Sequence, residues 1–170
     1  MPFPTFANLG GLRVMDRGCI PAENEAVQPM FRATRVPLMD RPTFFPPFVP
    51  DGAPDAPYAY SQAVRIGNRV ETSGQGGWDA DHAFPVALAD EIARAFDNLG
   101  LVLAEAGAGW DDVVAVESWH FPLDEATYGL MVGELRTRMP HHRPIWTALA
   151  VPGFGLPGMR VEVRVTAVVA

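Results

Sequence analysis

The chain is poor in cysteine, has no long apolar run and carries no excess of basic residues. Cys19 is the single cysteine among its 170 residues, so no internal disulfide can form, which is typical of proteins kept in a reducing cytoplasm. No apolar run approaches the roughly 18 residues that a membrane-spanning helix requires, while hydrophobic residues make up 48% of the sequence. We therefore expect a soluble, cytoplasmic, globular protein without a membrane partner.

The charge balance and the histidines exclude further kinds of partner. The net charge is −7 at pH 7, whereas a nucleic-acid backbone is bound through clustered basic residues, so we expect no nucleic-acid partner. The first residues, M-P-F-P-T-F, lack the basic segment and apolar core of a secretory signal. His82, His120, His141 and His142 lack the spacing of a zinc site, and we expect neither a metal nor a cofactor. His120 lies in an apolar run and is interpreted as a core histidine.

Proline divides the chain into two parts. Eleven of the seventeen prolines lie in residues 1–57, where no helical period persists. Residues 1–53 are therefore predicted to be a Pro-rich N-terminal extension, either an extended arm or a leader, and residues 54–170 to be the folded domain. Apolar residues in the extension, among them Phe44 and Phe45, suggest that part of it packs on a surface.

The first half of the domain predicts two short strands and a bare loop. The runs 58–66 and 69–75 flank Gly67-Asn68 and are typical of strands joined by a tight turn. The second run leads into Ser73-Gly74-Gln75-Gly76-Gly77. This backbone is bare enough for a ligand to approach closely, although a flexible strand exit without a ligand fits the same residues.

Helical periodicity predicts two helices around a strand. The first helix runs from about Ala87 to Ala106 and ends at Gly107, with one apolar stripe. The stripe consists of Ile92, Phe96, Leu99, Leu103 and Ala106, and the acidic residues Asp90, Glu91, Asp97 and Glu105 are expected largely away from it. A strand from Asp112 to Phe121 follows. Asp124 is then the predicted N-cap of a helix through Met139, whose apolar side holds Tyr128, Met131, Leu135 and Met139.

The C-terminal residues predict two more strands. Val161, Val163, Val165 and Ala167 alternate with Arg160, Glu162, Arg164 and Thr166, which is the period of a strand. The apolar run Ile145–Val151 is expected to pair with it as a hairpin, bringing Arg143 and Glu162 toward one site. Arg160 and Arg164 should then favour the ionised form of Glu162. Alternatively, Arg143 and Glu162 form a cross-strand ion pair on a solvated face.

These elements together predict an α+β fold with a single sheet and two helices packed on one face. The other face of the sheet meets solvent or other subunits, and we expect oligomerisation.

Several short motifs, in this order, resemble the Rid family (RidA/YjgF) of enamine and imine deaminases. They are Y-S-Q-A-V from Tyr60, S-G-Q from Ser73, F-D-N-L-G-L-V-L-A-E-A-G from Phe96, D-D-V-V from Asp111, R-P-I-W-T-A-L-A-V-P from Arg143 and R-V-E-V-R-V-T-A-V from Arg160. The resemblance covers residues 54–170 and implies a chorismate-mutase-like, YjgF-type fold assembled as a homotrimer with a ligand cleft at each subunit interface. It does not cover the extension.

The resemblance also implies the site. Arg143 matches the arginine that grips the substrate carboxylate, and Glu162 the glutamate that positions a hydrolytic water. Tyr60, Ser73, Gly74 and Thr147 match substrate-binding positions. The chain departs from the family pattern where members often carry an asparagine on the second helix, near Met131 and Val132 here, and in an apparently shortened segment before Arg143.

The expected reaction is hydrolysis of small 2-imino and 2-enamino acids to 2-keto acids and ammonia. It needs a planar guanidinium for the carboxylate and a carboxyl group that handles the protons of one water. Two alternatives keep the fold: a non-catalytic trimer that binds small carboxylates or assists a partner enzyme, and an enzyme with another reaction, such as a biosynthetic tailoring step or a chorismate-mutase-like rearrangement.

Overall fold

The computed structural model describes residues 41–45 and 60–170. These residues form the strands β1 Thr43–Phe45, β2 Ala63–Ile66, β3 Arg69–Thr72, β4 Val113–His120, β5 Ile145–Ala150 and β6 Val161–Val168, and the helices α1 Leu88–Glu105 and α2 Glu125–Arg138. The predicted order of strands and helices from residue 58 onward is confirmed. Neither helix is long and apolar enough to cross a membrane. Most of the predicted extension lies outside the described residues, and its boundary at residue 53 stays a prediction.

All six strands form one sheet in the order β1-β2-β3-β6-β4-β5. β4 pairs in parallel with β5 and antiparallel with β6, so β4 lies between the two C-terminal strands. The predicted hairpin of β5 with β6 is therefore wrong. Helix α2 supplies the long crossover that a parallel β4–β5 pair requires, and the connection of ten residues from 151 to 160 is too long to impose a hairpin.

The helices cover one face of the sheet. The predicted stripe of α1 is buried, from Ile92 and Phe96 at 0% to Ala106 at 2% exposure, and faces the buried valines of β6. Gly107 ends α1 with a φ of +72°. The amides of Gly107 and Ala108 bond back into the last turn, at 3.1 Å and 2.9 Å, as in a Schellman motif. The α+β prediction with two helices on one face is confirmed.

Helix α2 begins and packs as predicted. The Asp124 carboxylate accepts a hydrogen bond of 2.8 Å from the Thr127 amide, which is the N-cap interaction. Met131 and Met139 are fully buried. Tyr128 is half-exposed, but its ring stacks on Trp146 of β5 with centroids 5.1 Å apart. The helix is therefore held to the end strand of the sheet as well as to the core.

The opposite side of the sheet, which we call the open face, is turned away from both helices. In β6 it carries Glu162, Arg164 and Thr166, because the alternate valines point to the core. At the ends of the sheet, Phe44 is 63% exposed and Ile145 is 76% exposed. The candidate site lies on this face.

Candidate active site

Glu162 lies on the open face near the start of β6. Its carboxylate packs on the backbone of Gly74, where an added Cβ would overlap Oε1. Gln75 holds this backbone in place by exchanging amide-to-carbonyl hydrogen bonds of 2.8 Å and 2.9 Å with Val163. The close approach expected of the glycine-rich loop is therefore made by the carboxylate of the chain itself.

Burial raises the pKa of the Glu162 carboxyl above its ordinary value. Among the described residues, none donates a hydrogen bond to this carboxylate. The expectation that Arg160 and Arg164 would favour its ionised form is wrong, because both guanidinium groups are engaged by other carboxylates. Desolvation therefore dominates, and it favours the protonated form of Glu162 more than the sequence indicated.

Arg160 turns toward the helices, away from the open face. Its Nε donates to Glu91 of α1 at 2.6 Å and its backbone amide donates to the same carboxylate at 2.7 Å. Nη2 donates to the Pro85 carbonyl at 2.9 Å. The Glu91 side chain is fully buried by this contact, which its predicted place away from the apolar stripe does not indicate. No local pattern indicates this ion pair, because its two residues are 69 positions apart.

Arg164 remains on the open face between two carboxylates. Its Nη2 lies 3.6 Å from Glu71 and its Nε lies 3.0 Å from Glu117. The Nε contact is an ion pair without hydrogen-bond geometry. Because Glu71 also accepts a hydrogen bond of 2.8 Å from Arg69, two arginines and two glutamates balance one another beside Glu162.

A pocket of about 400 Å³ opens on the same face. Its lining includes Phe44, Tyr60, Ser61, Glu71, Ser73 and Arg164. Tyr60 and Ser73 thus line one pocket, while their role in substrate binding stays a prediction, and Ser73 precedes Gly74, on which Glu162 packs. Phe44 was not predicted as a site residue, since only its apolar character suggested that the extension packs on a surface.

Arg143 lies between α2 and β5 and is exposed. Nη1 donates to the carbonyl oxygens of Met139 at 3.1 Å, Pro140 at 3.5 Å and His142 at 2.6 Å, which fixes the guanidinium plane. Nε and Nη2 have no acceptor among the described residues. Two parallel donors on one edge match a carboxylate. Thr147 follows on β5, exposed and paired with Glu117.

One chain does not bring Arg143 and Glu162 together. Glu162 lies opposite Trp119, which pairs with Leu149 on β5. Arg143 precedes Leu149 by six residues, a separation of roughly 20 Å along the strands. The expected proximity through a hairpin, and the alternative of an ion pair between these two residues, are both wrong within a chain.

His120 is a core histidine, as interpreted from the sequence, but it is not fully hydrogen-bonded. Its Nε2 lies 2.8 Å from the Ser118 hydroxyl, which accepts a hydrogen bond of 2.9 Å from Trp146 Nε1. Nδ1 has no partner. Burial lowers the pKa of His120 to about 4. In the part of the chain that the structure describes, no three His, Cys, Asp or Glu side chains are grouped to hold a metal ion.

Known proteins resemble the chain over most of its length. A family model described as endoribonuclease L-PSP matches residues 51–169. The chain belongs to the YjgF/RidA family. RutC family protein YjgH of Escherichia coli (strain K12) is 33% identical over 114 residues, which cover 66% of this chain and 84% of YjgH.

Two further relatives give the same family. The 2-iminobutanoate/2-iminopropanoate deaminase of Rattus norvegicus is 32% identical over 119 residues, 68% of this chain and 84% of that protein. A solved structure of protein YJGH matches with a TM-score of 0.63 at 28% identity and covers 78% of this chain and 98% of that chain. Membership of the YjgF/RidA family, predicted from the motifs, is confirmed, and β1 lies outside the family match.

Proposed function

We propose that the protein hydrolyses 2-imino acids, and the 2-enamino acids that tautomerise to them, to 2-keto acids and ammonia. The observation that carries this proposal is Glu162, a carboxyl group of raised pKa that packs on a bare backbone beside an open pocket. Deaminases of this class among the relatives support it. Because the cysteine content is that of a reducing compartment, we propose a cytoplasmic protein.

In the proposed reaction Arg143 holds the substrate. The edge formed by Nε and Nη2 binds the 2-carboxylate in a bidentate manner, while the three carbonyl contacts of Nη1 keep the guanidinium in one orientation. Tyr60, Ser73, the Gly74 backbone and Thr147 line the remainder of the cleft. Once the substrate is held in this way, hydrolysis requires only that a water molecule reach the imine carbon.

Glu162 manages the protons of that water. Water oxygen bonds to C2 while one water proton passes through the Glu162 carboxyl to the imine nitrogen, which gives a carbinolamine. The remaining hydroxyl proton then passes to the nitrogen in the same way as the C–N bond breaks, the carbonyl forms and ammonia leaves. The imino acid and one water thus give the keto acid and one ammonia. General acid–base catalysis of this kind contributes roughly 10²- to 10⁴-fold in rate. The printed sequence contains no lysine, so the mechanism does not use a covalent imine to a lysine side chain.

The site we propose combines two chains. Arg143 and Glu162 lie too far apart within one chain to act on one small substrate, and the open face exposes Ile145 and Leu149. A second copy that covers the β5 end of this face buries these apolar side chains, leaves the pocket at the other end accessible, and can place its Arg143 near Glu162 of the first. We propose a homotrimer, in which each interface forms one cleft.

A non-catalytic carboxylate-binding trimer is the second candidate. The observation that favours it is Met131, which is fully buried in the core near the helix position where the family often has an asparagine. The family model is described as an endoribonuclease, but the net charge of −7 and the balanced charges around Arg164 do not fit a phosphate backbone.

The test generates 2-aminoacrylate from serine with a dehydratase and follows the release of pyruvate. Faster release with the protein, lost in Arg143→Ala, supports the hydrolase. Unchanged release together with binding of 2-ketobutyrate supports the non-catalytic binder. Light scattering measures the oligomer, and a monomer contradicts the two-chain site.

A further inference from the structure

The pocket on the open face is lined by residues next to Glu162, although Glu162 itself is not part of its lining. Arg164, which lines the pocket, lies two residues after Glu162 on the same side of β6, about 7 Å away. Ser73 also lines the pocket and is adjacent to Gly74, on which the Glu162 carboxylate packs. A substrate whose imine carbon lies at Glu162 therefore has its side chain within reach of the pocket.

Four polar side chains of this pocket have partners within the chain. The Ser73 hydroxyl donates to the Ser61 carbonyl at 2.6 Å, and the Thr72 hydroxyl accepts from the Val165 amide at 3.0 Å. Glu71 and Arg164 neutralise each other across 3.6 Å. A charged substrate side chain would find no unmatched charge among these groups, whereas an apolar one leaves every pair intact.

The apolar wall of the pocket comes from β1 and β2. Phe44 pairs with Val64, which pairs with Glu71, so the three side chains lie in one row across the open face. Ala63 adds to the lining. The Phe44 ring is 63% exposed and lies outside residues 51–169, which the family model matches.

We propose that this pocket binds the substrate side chain and selects 2-imino acids with a bulky apolar side chain, of the phenyl or branched aliphatic class. The inference rests on the proposed function and names its substrate class. A volume of about 400 Å³ is within the range of pockets that enclose drug-sized ligands, and a methyl or ethyl group fills little of it. An aromatic side chain can also stack on Phe44.

The experiment compares imines made in situ from phenylalanine and alanine by an amino-acid oxidase in the presence of catalase. Semicarbazide traps the imine that escapes hydrolysis, so a smaller yield of semicarbazone reports deamination. We expect kcat/KM to be higher for the phenylalanine-derived imine. Phe44→Ala lowers the ratio of the two kcat/KM values by about tenfold, and Phe44→Trp, which keeps a flat ring, retains most of it.

The matched control is Ile66→Ala, which removes an exposed apolar side chain from β2 outside the pocket and should leave the ratio unchanged. Circular dichroism and thermal unfolding check that each variant is folded. A wild-type preference for the alanine-derived imine, or a ratio that Phe44→Ala does not change, overturns the inference.

Failure of the proposed function is recognised separately. If neither imine is hydrolysed faster than in buffer, the proposed deaminase activity is wrong. The pocket is then tested by measuring the binding of phenylpyruvate and pyruvate by calorimetry. Tighter binding of phenylpyruvate that Phe44→Ala abolishes supports the pocket assignment, and equal binding of the two keto acids overturns it. If Arg143 is required for hydrolysis of the alanine-derived imine but the phenylalanine-derived imine is not preferred, the proposed function stands and only the proposed substrate class is wrong.

Discussion

The carboxylate of Glu162 lies directly on the Cα of Gly74, and no side chain larger than hydrogen fits between them. β6 and the end of β3 approach each other here through the paired amides of Gln75 and Val163. The orientation of the Glu162 carboxylate, the proposed catalytic group, thus depends on Gly74, which has no side chain.

Gly74→Ala should therefore reduce deamination without unfolding the protein. The new methyl group displaces the Glu162 carboxylate, and a misplacement of about 1 Å can cost roughly 10²-fold in rate. Steady-state kinetics should show the loss mainly in kcat. The control is Gly133→Ala in α2, where an added Cβ meets nothing within 4 Å. If the kcat of Gly74→Ala equals that of the wild type, Gly74 does not position the Glu162 carboxylate.

Mixing two inactive variants tests whether the site spans two chains. Arg143→Ala retains Glu162 and Glu162→Gln retains Arg143, so a mixed trimer can rebuild a complete cleft at one interface. Random exchange of equal amounts should restore about one quarter of the wild-type activity, because a cleft needs the intact residue from each neighbour. Activity after unfolding and joint refolding measures this.

The control for mixing is Arg143→Ala combined with the double variant Arg143→Ala/Glu162→Gln, which offers no intact arginine and should stay inactive. Mass spectrometry of differently tagged chains verifies the exchange. Verified mixed oligomers without recovered activity would show that the two residues do not share an intersubunit site.

His120 should make the free energy of unfolding fall between pH 6.5 and 4. The folded pKa is about 4 and the ordinary value is 6.5, so the unfolded chain binds the proton first as the pH falls. The contribution of neutral His120 to the free energy of unfolding is complete above pH 6.5. It is lost progressively as the pH falls toward 4, and the total loss is up to about 3 kcal/mol.

Urea unfolding at pH 7 and pH 5, at one fixed protein concentration, measures this dependence. His120→Leu removes the titrating ring and should flatten the curve in that window. The same slope in the wild type and in His120→Leu would assign the acid sensitivity to other groups.

The buried pair of Glu91 and Arg160 predicts an asymmetric response to substitution. Glu91→Ala leaves the Arg160 guanidinium without its carboxylate in a largely buried setting and should cost about 3–5 kcal/mol of unfolding free energy. The double variant Glu91→Leu/Arg160→Leu should cost less than Glu91→Ala, because no charge is left unpaired. Chemical unfolding compares the two, and a double variant less stable than Glu91→Ala would contradict this account.

Local patterns in the sequence predicted the helices well. The stripe of α1, its end at Gly107 and the Asp124 cap depend on residues within a few positions of one another, so periodicity and capping chemistry suffice. The motifs likewise predict Tyr60 and Ser73 as site residues, and both line the pocket.

Pairing between distant segments was not predicted. Nothing in residues 145–167 indicates that β4 separates the two last strands, and no periodicity shows that Glu91 is buried by Arg160. The effect of Arg160 and Arg164 on the ionisation of Glu162 could not be predicted for the same reason, because the carboxylates that engage them come from α1, β3 and β4.

β1 adds only three residues to the sheet, yet they cover the outer backbone of β2 and supply the Phe44 wall. A fragment that starts at residue 51 would keep Arg143 and Glu162 but expose a bare strand edge, the kind of edge that promotes aggregation. It would also remove the Phe44 wall from the proposed substrate pocket. Substitutions in this one short strand could therefore change which acids are accepted while Arg143 and Glu162 stay as they are.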